Sequence, residues 1–287
     1  MGFNFSDLPF LQVPKKDITI DGIRLVFEDG APRRIAFATT HAGALKRGSG
    51  DRPGKILLPF KETVLPFIRA ELGNDIALFP SKFGGYWRSF DSPEEYDKFE
   101  AFIRKYHDVV FLRDELDLSL ALSMNFEEDE EGHTEIGDLE CKAKYSGDSD
   151  AESKLVDKCA EWIGLLPYYK YVDYICAVPG KSRAMNLPQR IVSKFDTFNF
   201  KDISSHVYWR NKTRHIKDAE SVDEKLEILD ESGLNIDADI DLNGKTVLLF
   251  DDLYMSGLTM QYVAMKLKER GVSRVLGIAI VKSRKNK

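Results

Sequence analysis

The 287-residue sequence has three cysteines, Cys141, Cys159 and Cys176, and no two form a C-x-x-C pair. The odd count argues against a disulfide framework, and the missing pair argues against a zinc ribbon. No stretch reaches the roughly 20 apolar residues that a membrane span needs. Residues 1–10 show no basic region leading into an apolar run, so a signal peptide is not expected. Internal repeats and low-complexity tracts are lacking as well. The net charge of −6 gives no overall nucleic-acid footprint. These absences leave a soluble cytoplasmic protein, without a membrane partner, as the expectation.

Apolar residues make up 43% of the chain and charged residues 31%, enough for a real core under an ordinary surface. The length suits one large domain or two modest ones. Charge is unevenly placed: residues 127–140 are acidic and residues 282–287 basic. The acidic stretch reads as a surface loop or a boundary. It divides the chain into a mixed α+β domain over residues 1–139 and an α/β domain over residues 140–287.

In the first part, residues 18–20 and 23–27 flank Asp21-Gly22, a hairpin signal. Residues 34–39 read as a strand and 61–72 as a helix. Ser92-Pro93-Glu94-Glu95 is a capping box with Pro at the first helical position. The helix it opens places Tyr96, Phe99, Ile103 and Tyr106 on one face. Residues 109–112 and 116–124 read as strands. The loop 41–55 is rich in Gly and cations and ends in Gly54-Lys55. It fails the phosphate-loop spacing, because Ser49 stands where the first Gly belongs and Ile56 follows the Lys. It remains a basic loop able to touch nucleic-acid phosphates.

In the second part, Ser149-Asp150-Ala151-Glu152 reads as a capping box before an apolar helical stripe. Residues 172–178 form a buried strand stopped by Pro179-Gly180, and residues 185–195 a helix. Ser221 opens another helix. Residues 246–250 and 275–281 are buried strands, with a helix through Met260, Val263, Ala264 and Leu267 between them. Strand, helix and strand in alternation predict a parallel sheet flanked by helices.

Chemistry concentrates in residues 247–259, Val-Leu-Leu-Phe-Asp-Asp-Leu-Tyr-Met-Ser-Gly-Leu-Thr. A strand ends in two carboxylates, and a short loop then leads into a helix. Ligands of open α/β sheets bind at the carboxyl ends of strands. A helix N-terminus presents free N–H groups and the positive end of its dipole to an anion. Gly257 permits close backbone approach, and Ser256 and Thr259 add hydroxyl donors. Two adjacent acids would repel that anion, so they suit hydroxyl donors or a hard cation such as Mg²⁺. A ligand with both a phosphate and a ribose diol satisfies both halves.

This segment resembles the signature with which type I phosphoribosyltransferases bind phosphoribosyl pyrophosphate (PRPP). The resemblance implies that Asp251 and Asp252 hold the ribose, with Mg²⁺ near them. It implies that Met255, Ser256, Gly257, Leu258 and Thr259 cradle the phosphate. Lys142-Ala-Lys-Tyr-Ser-Gly-Asp148 resembles the lead-in to the first helix of the ComF-like, competence-associated branch. Pro179, Gly180, Lys181, Ser182 and Arg183 resemble its pyrophosphate loop. Arg210, Lys212 and Arg214 fall in its variable loop, where cations would stabilise charge growing on pyrophosphate. The resemblance covers residues 140–287; residues 1–139 match nothing. Met255 departs from the Thr or acid common in nucleobase-specific enzymes, and a thioether cannot act as a base.

The implied activity is Mg²⁺-dependent transfer or cleavage of a 5-phosphoribosyl group, a glycosyltransferase reaction of nucleotide metabolism whose acceptor stays open. A module that senses PRPP or a nucleotide, and a nucleic-acid-associated factor, stand as alternatives. A homodimer is allowed.

Overall fold

A computed structural model describes residues 5–49, 53–180, 184–211, 214, 216 and 219–284. The first half builds α1 (Ile20–Glu28), β1 (Arg34–Ala36), β2 (Leu45–Arg47), β3 (Gly54–Leu58), α2 (Val64–Leu72), β4 (Phe79–Pro80), β5 (Tyr86–Ser89), α3 (Pro93–Lys105), β6 (Val110–Leu112) and β7 (Leu118–Met124). The second half builds α4 (Glu135–Cys141), a π-helical turn (Lys142–Ser146), α5 (Ser149–Leu165), β8 (Tyr174–Ala177), α6 (Leu187–Val192), β9 (Lys201–Asp202), β10 (Val207–Trp209), α7 (Val222–Glu231), β11 (Leu234–Ile236), β12 (Thr246–Tyr254), α8 (Leu258–Glu269) and β13 (Arg274–Lys282). No helix among the described residues is long and apolar enough to cross a membrane.

The protein is α/β, as the alternation of elements predicted. A seven-stranded sheet runs in the order β1-β6-β7-β13-β12-β8-β9. Its five strands from β7 to β9 are parallel to their neighbours, while β6 and β1 pair antiparallel. Side chains of β12 alternate between two cores. Leu248 and Phe250 face one, with Leu155 and Ile163 of α5 and Ile191 of α6. Val247 and Leu249 face the other, with Ile23 of α1, Leu226 of α7 and Val263 of α8. Burial on both faces explains the continuous apolar runs of β12 and β13.

The sheet crosses the expected division at 139/140. That position falls inside α4, and β7 is hydrogen-bonded to β13, with Leu120 opposite Ile278. Residues before 139 therefore supply three strands of the main sheet. Within them, β2-β3-β5-β4 form a separate antiparallel sheet. Aromatic rings join this insertion to the body. Phe67 of α2 lies 5.2 Å from Phe111 of β6, 5.8 Å from Tyr106 and 5.8 Å from Tyr168, measured between ring centroids.

Three local expectations need correction. Residues 20–28 form a helix instead of a hairpin arm. Thr19 is its N-cap and accepts from the Gly22 N–H at 3.0 Å, and Ile23 and Val26 are buried at helical spacing. The i, i+3 period outweighed the Asp-Gly turn signal. The second half of the acidic stretch also folds, as α4 capped by Thr134. The cap of α5 is Asp148, whose Oδ1 accepts from the N–H groups of Asp150 and Ala151 at 2.9 and 3.0 Å. Ser149 is already helical. Replacing Asp148 with Ala is expected to cost about 1 kcal/mol in urea unfolding, with Ser149→Ala near neutral. Equal effects of the two would return the cap to Ser149.

Candidate functional site

Strand β12 runs longer than its sequence pattern, through both acids to Tyr254. Its ladder with β8 ends at Phe250 opposite Ala177, while pairing with β13 continues to Tyr254 opposite Lys282. Asp251 and Asp252 thus stand past the last β8 pairing, at the carboxyl end of the parallel strands. Here an open sheet leaves a crevice for a ligand. Both acids are half-buried. Asp251 Oδ1 accepts from the Asp252 N–H at 3.0 Å.

The π-helical turn at Lys142–Ser146 brings Lys144 to this pair. Lys144 Nζ lies 3.0 Å from Asp252 Oδ2 and 3.2 Å from Glu140 Oε1. Burial works against the ammonium, yet Asp252 and Glu140 together hold its pKa above the ordinary lysine value. Burial moves Glu140 upward, against the pull of Lys144. Single π-helical turns recur at functional sites because they aim a side chain off the regular helix path.

After Tyr254 the chain turns through Met255 and Ser256 to Gly257, the N-cap of α8, at φ 77°. No side chain caps this helix. Its first N–H groups and dipole are therefore presented at the loop. Met255 is 38% exposed. Ser256 and Thr259 are half-buried, while the Leu258 side chain lies in the core, leaving only its backbone for a ligand. Arg33 donates from Nη1 to the Ser256 carbonyl at 3.3 Å. Arg33 and Arg34 also lie close enough to Lys282 to depress its pKa, after burial, the larger cause; together these bring it to about 7. Arg33 thus holds the loop directly, with Lys282 next to Tyr254 and within the field of Arg33 and Arg34.

Below the loop, Tyr254 is buried and donates from its hydroxyl to Asp114 Oδ2 at 2.8 Å. Burial raises the pKa of the Asp114 carboxyl.

The stop after β8 is held by two contacts. Trp209 Nε1 donates to the Pro179 carbonyl at 2.9 Å, and Asn186 Nδ2 donates to the Val178 carbonyl at 3.1 Å. Trp209 also stacks on Tyr262 of α8, 6.0 Å between centroids. Pro179-Gly180 and α8 thereby share one support. Lys181, Ser182 and Arg183 lie outside the described residues, as does Lys212. Arg210 follows Trp209 and binds Asn235 Oδ1 from Nε at 3.2 Å and Nη2 at 2.6 Å. Arg214 pairs with Glu224 at 3.4 Å and Glu231 at 3.3 Å.

Sequence reasoning missed Lys144 as a partner of the acids, and Arg33, Arg34, Trp209 and Asn186 altogether. The Lys142–Asp148 stretch carried a signal for the first. Ser256 and Arg33 are 223 positions apart, and nothing local announces that contact.

Among the described residues, two places offer ligands to a metal. One is the Asp251–Asp252 pair, where Lys144 already supplies a positive charge to Asp252. A resident cation on that oxygen would have to displace the ammonium, so the pair fits a dedicated all-protein Mg²⁺ cage poorly. The other is His206, Asp237 and Asp239, whose ligand atoms lie within 4.8 Å of one another.

No family model matches the chain, and no curated protein matches it. Among solved structures, the crystal structure of a hypoxanthine phosphoribosyltransferase from Staphylococcus aureus is similar to part of it. The two are 20% identical with a TM-score of 0.30, over 47% of this chain and 67% of that one.

Proposed function

We propose that this chain is a phosphoribosyltransferase-like protein that binds PRPP, or a related ribose-phosphate, along residues 251–259. The observation that carries this reading is the sequence of chemistries on one short stretch. A carboxylate pair at the carboxyl end of β12 is followed by an uncapped helix N-terminus whose entry loop is held by Arg33. Asp251 and Asp252 accept from the ribose hydroxyls, and Lys144 fixes the orientation of Asp252. The phosphate takes the backbone N–H groups at 256–259 and the hydroxyls of Ser256 and Thr259. Arg33 steadies the Ser256 carbonyl on the outer side of the loop.

Pro179-Gly180, pinned by Trp209 and Asn186, begins a second loop for the pyrophosphate. The Lys142–Asp148 lead-in, which carries the ComF-like resemblance, is the segment that delivers Lys144. Mg²⁺ accompanying the diphosphate would neutralise its charge, without a ligand cage supplied by Asp251 and Asp252.

Binding without turnover is the second reading. Met255 is exposed where a base would be wanted. Arg210 and Arg214 are engaged by Asn235, Glu224 and Glu231. A sensor needs neither a base nor a mobile cation.

Calorimetric titration of PRPP with Mg²⁺ tests the site, on wild type and on Asp251→Asn/Asp252→Asn. Saturable binding that the double substitution abolishes is expected. Wild type that takes up no PRPP would sink the reading. Pyrophosphate release across a panel of acceptors then separates transferase from sensor.

A further inference from the structure

The insertion sheet β2–β5 buries one face and opens the other. Its register sets Lys46, Lys55 and Ser89 in one cross-strand row and Leu57, Trp87 and Phe79 in the next. Directly opposed residues of antiparallel strands share a face. Ile56 and Leu58 point the other way, into the core. Along the open face lies a cleft of about 860 Å³ whose lining includes Lys55, Lys82, Phe83, Trp87 and Ser89, with Arg47 reaching its edge from the inward side of β2.

Two features of this cleft are unusual for a plain surface. First, two of its aromatics are left in water, Phe83 at 88% exposed and Trp87 at 37%, and Phe79 beside Trp87 is 51% exposed. Phe79 and Trp87 form a pair with centroids 6.3 Å apart, and Lys82 Nζ sits 5.0 Å over the Phe83 ring. Second, the described lining residues include three cations and no acid, although the whole chain carries a net charge of −6. Its described lining is thus locally cationic. Serines at 49, 81 and 89 add hydroxyl donors.

We propose that this face binds single-stranded nucleic acid. Unpaired bases stack on Phe79, Phe83 and Trp87, while Lys55 and Lys82 meet the backbone phosphates. Rings and cations are needed together. An apolar partner has no use for three cations, and duplex phosphates have no use for exposed rings, because paired bases are already stacked. An acidic peptide would use the cations and leave the rings idle. Arg47 keeps its local tie, 3.7 Å from Glu100 and stacked over Tyr96, so Lys55 and Lys82 are the more available pair. The proposal is independent of the ribose-phosphate site.

Fluorescence anisotropy on the full chain tests it, with labelled oligo-dT and oligo-U of about 12 nucleotides, within the usual site size. Binding of at least one strand is expected at about 50 mM salt. With two phosphates engaged, it weakens about 25-fold for a tenfold rise in salt. Phe83→Ala, at a largely solvated position, weakens it at least about fivefold, and so does Lys55→Glu/Lys82→Glu, each with an unchanged circular dichroism spectrum. The two strands tell DNA from RNA. Absence of binding to both overturns the proposal, as does equal affinity for a duplex, equal competition by poly-glutamate, or indifference to Phe83→Ala.

Discussion

Gly257→Ala is expected to destabilise the protein by about 2–5 kcal/mol and to abolish binding at the β12–α8 loop. Two separate costs add. Gly257 sits at φ 77°, a left-handed conformation that costs an L-residue about 1–2 kcal/mol. A Cβ there would also overlap the Tyr254 ring, meeting Cζ, the hydroxyl oxygen and Cε2. That ring cannot swing aside freely. It is buried, and its hydroxyl donates to Asp114 Oδ2. Moving it either overpacks the core, at about 1–3 kcal/mol, or leaves the Asp114 carboxyl short of a partner. Urea unfolding of a double-mutant cycle separates the costs. In a Tyr254→Ala background the overlap is gone, and Gly257→Ala should cost only the backbone part. Equal effects in both backgrounds would mean that the ring plays no role. The functional consequence follows from the same contact, since Gly257 is the N-cap of α8. A displaced cap re-aims the N–H groups that the phosphate would use.

What the sequence disclosed about this site was what the chain encodes locally. The run from Val247 to Thr259 displays strand, acids, loop and helix start in order, so the element types and the placement of Asp251 and Asp252 could be read directly. Its length could not. The β12 ladder continues to Tyr254 because β13 lies alongside, and a partner strand is invisible from one segment. The part played by residues before 139 was hidden for a similar reason. Every residue of β7 is buried, so no alternation marks a face, and in its partner β13 Leu276 lies opposite Leu118, far along the chain. Helix α1 was misread because Asp21-Gly22 is a turn signal only when its flanks alternate. The burial of Ile23 and Val26 follows the helical period instead. Lys144 reaches the site from the π-helical turn, and Arg33 and Arg34 from the start of β1. Only folding gathers such charges, and their individual spacings carry no signature.

The cations beside the loop make a second prediction of large effect, in the pH dependence of stability. Lys282, at the end of β13, is 3% exposed, and its Nζ donates to the Ser283 carbonyl at 2.7 Å. Burial first, and then the charges of Arg34 and Arg33, bring its pKa from the ordinary 10.5 to about 7. In the unfolded chain the amine regains its ordinary value. Between about pH 7 and 10.5 the unfolded chain binds more protons than the folded one, so this group makes stability rise with pH across that window. The penalty of the buried charge is fully present below about pH 7 and is relieved as the ammonium deprotonates above it. Lys282→Met keeps an unbranched chain of similar length and removes the charge. The variant is expected to be more stable than wild type at pH 6 by a few kcal/mol. The gap should narrow by about 1.4 kcal/mol per pH unit above neutrality. Cys159 and Cys176, whose thiols burial pushes up, oppose this trend in both proteins, because their stabilisation is lost as pH rises. They cancel in the difference between wild type and variant. Urea unfolding of the pair at pH 6, 7.5 and 9 measures it. Two stability curves that stay parallel would show that Lys282 releases no proton in the folded protein. A gap that closes on raising the pH would establish a buried ammonium beside the loop, where an anionic ligand would relieve its cost.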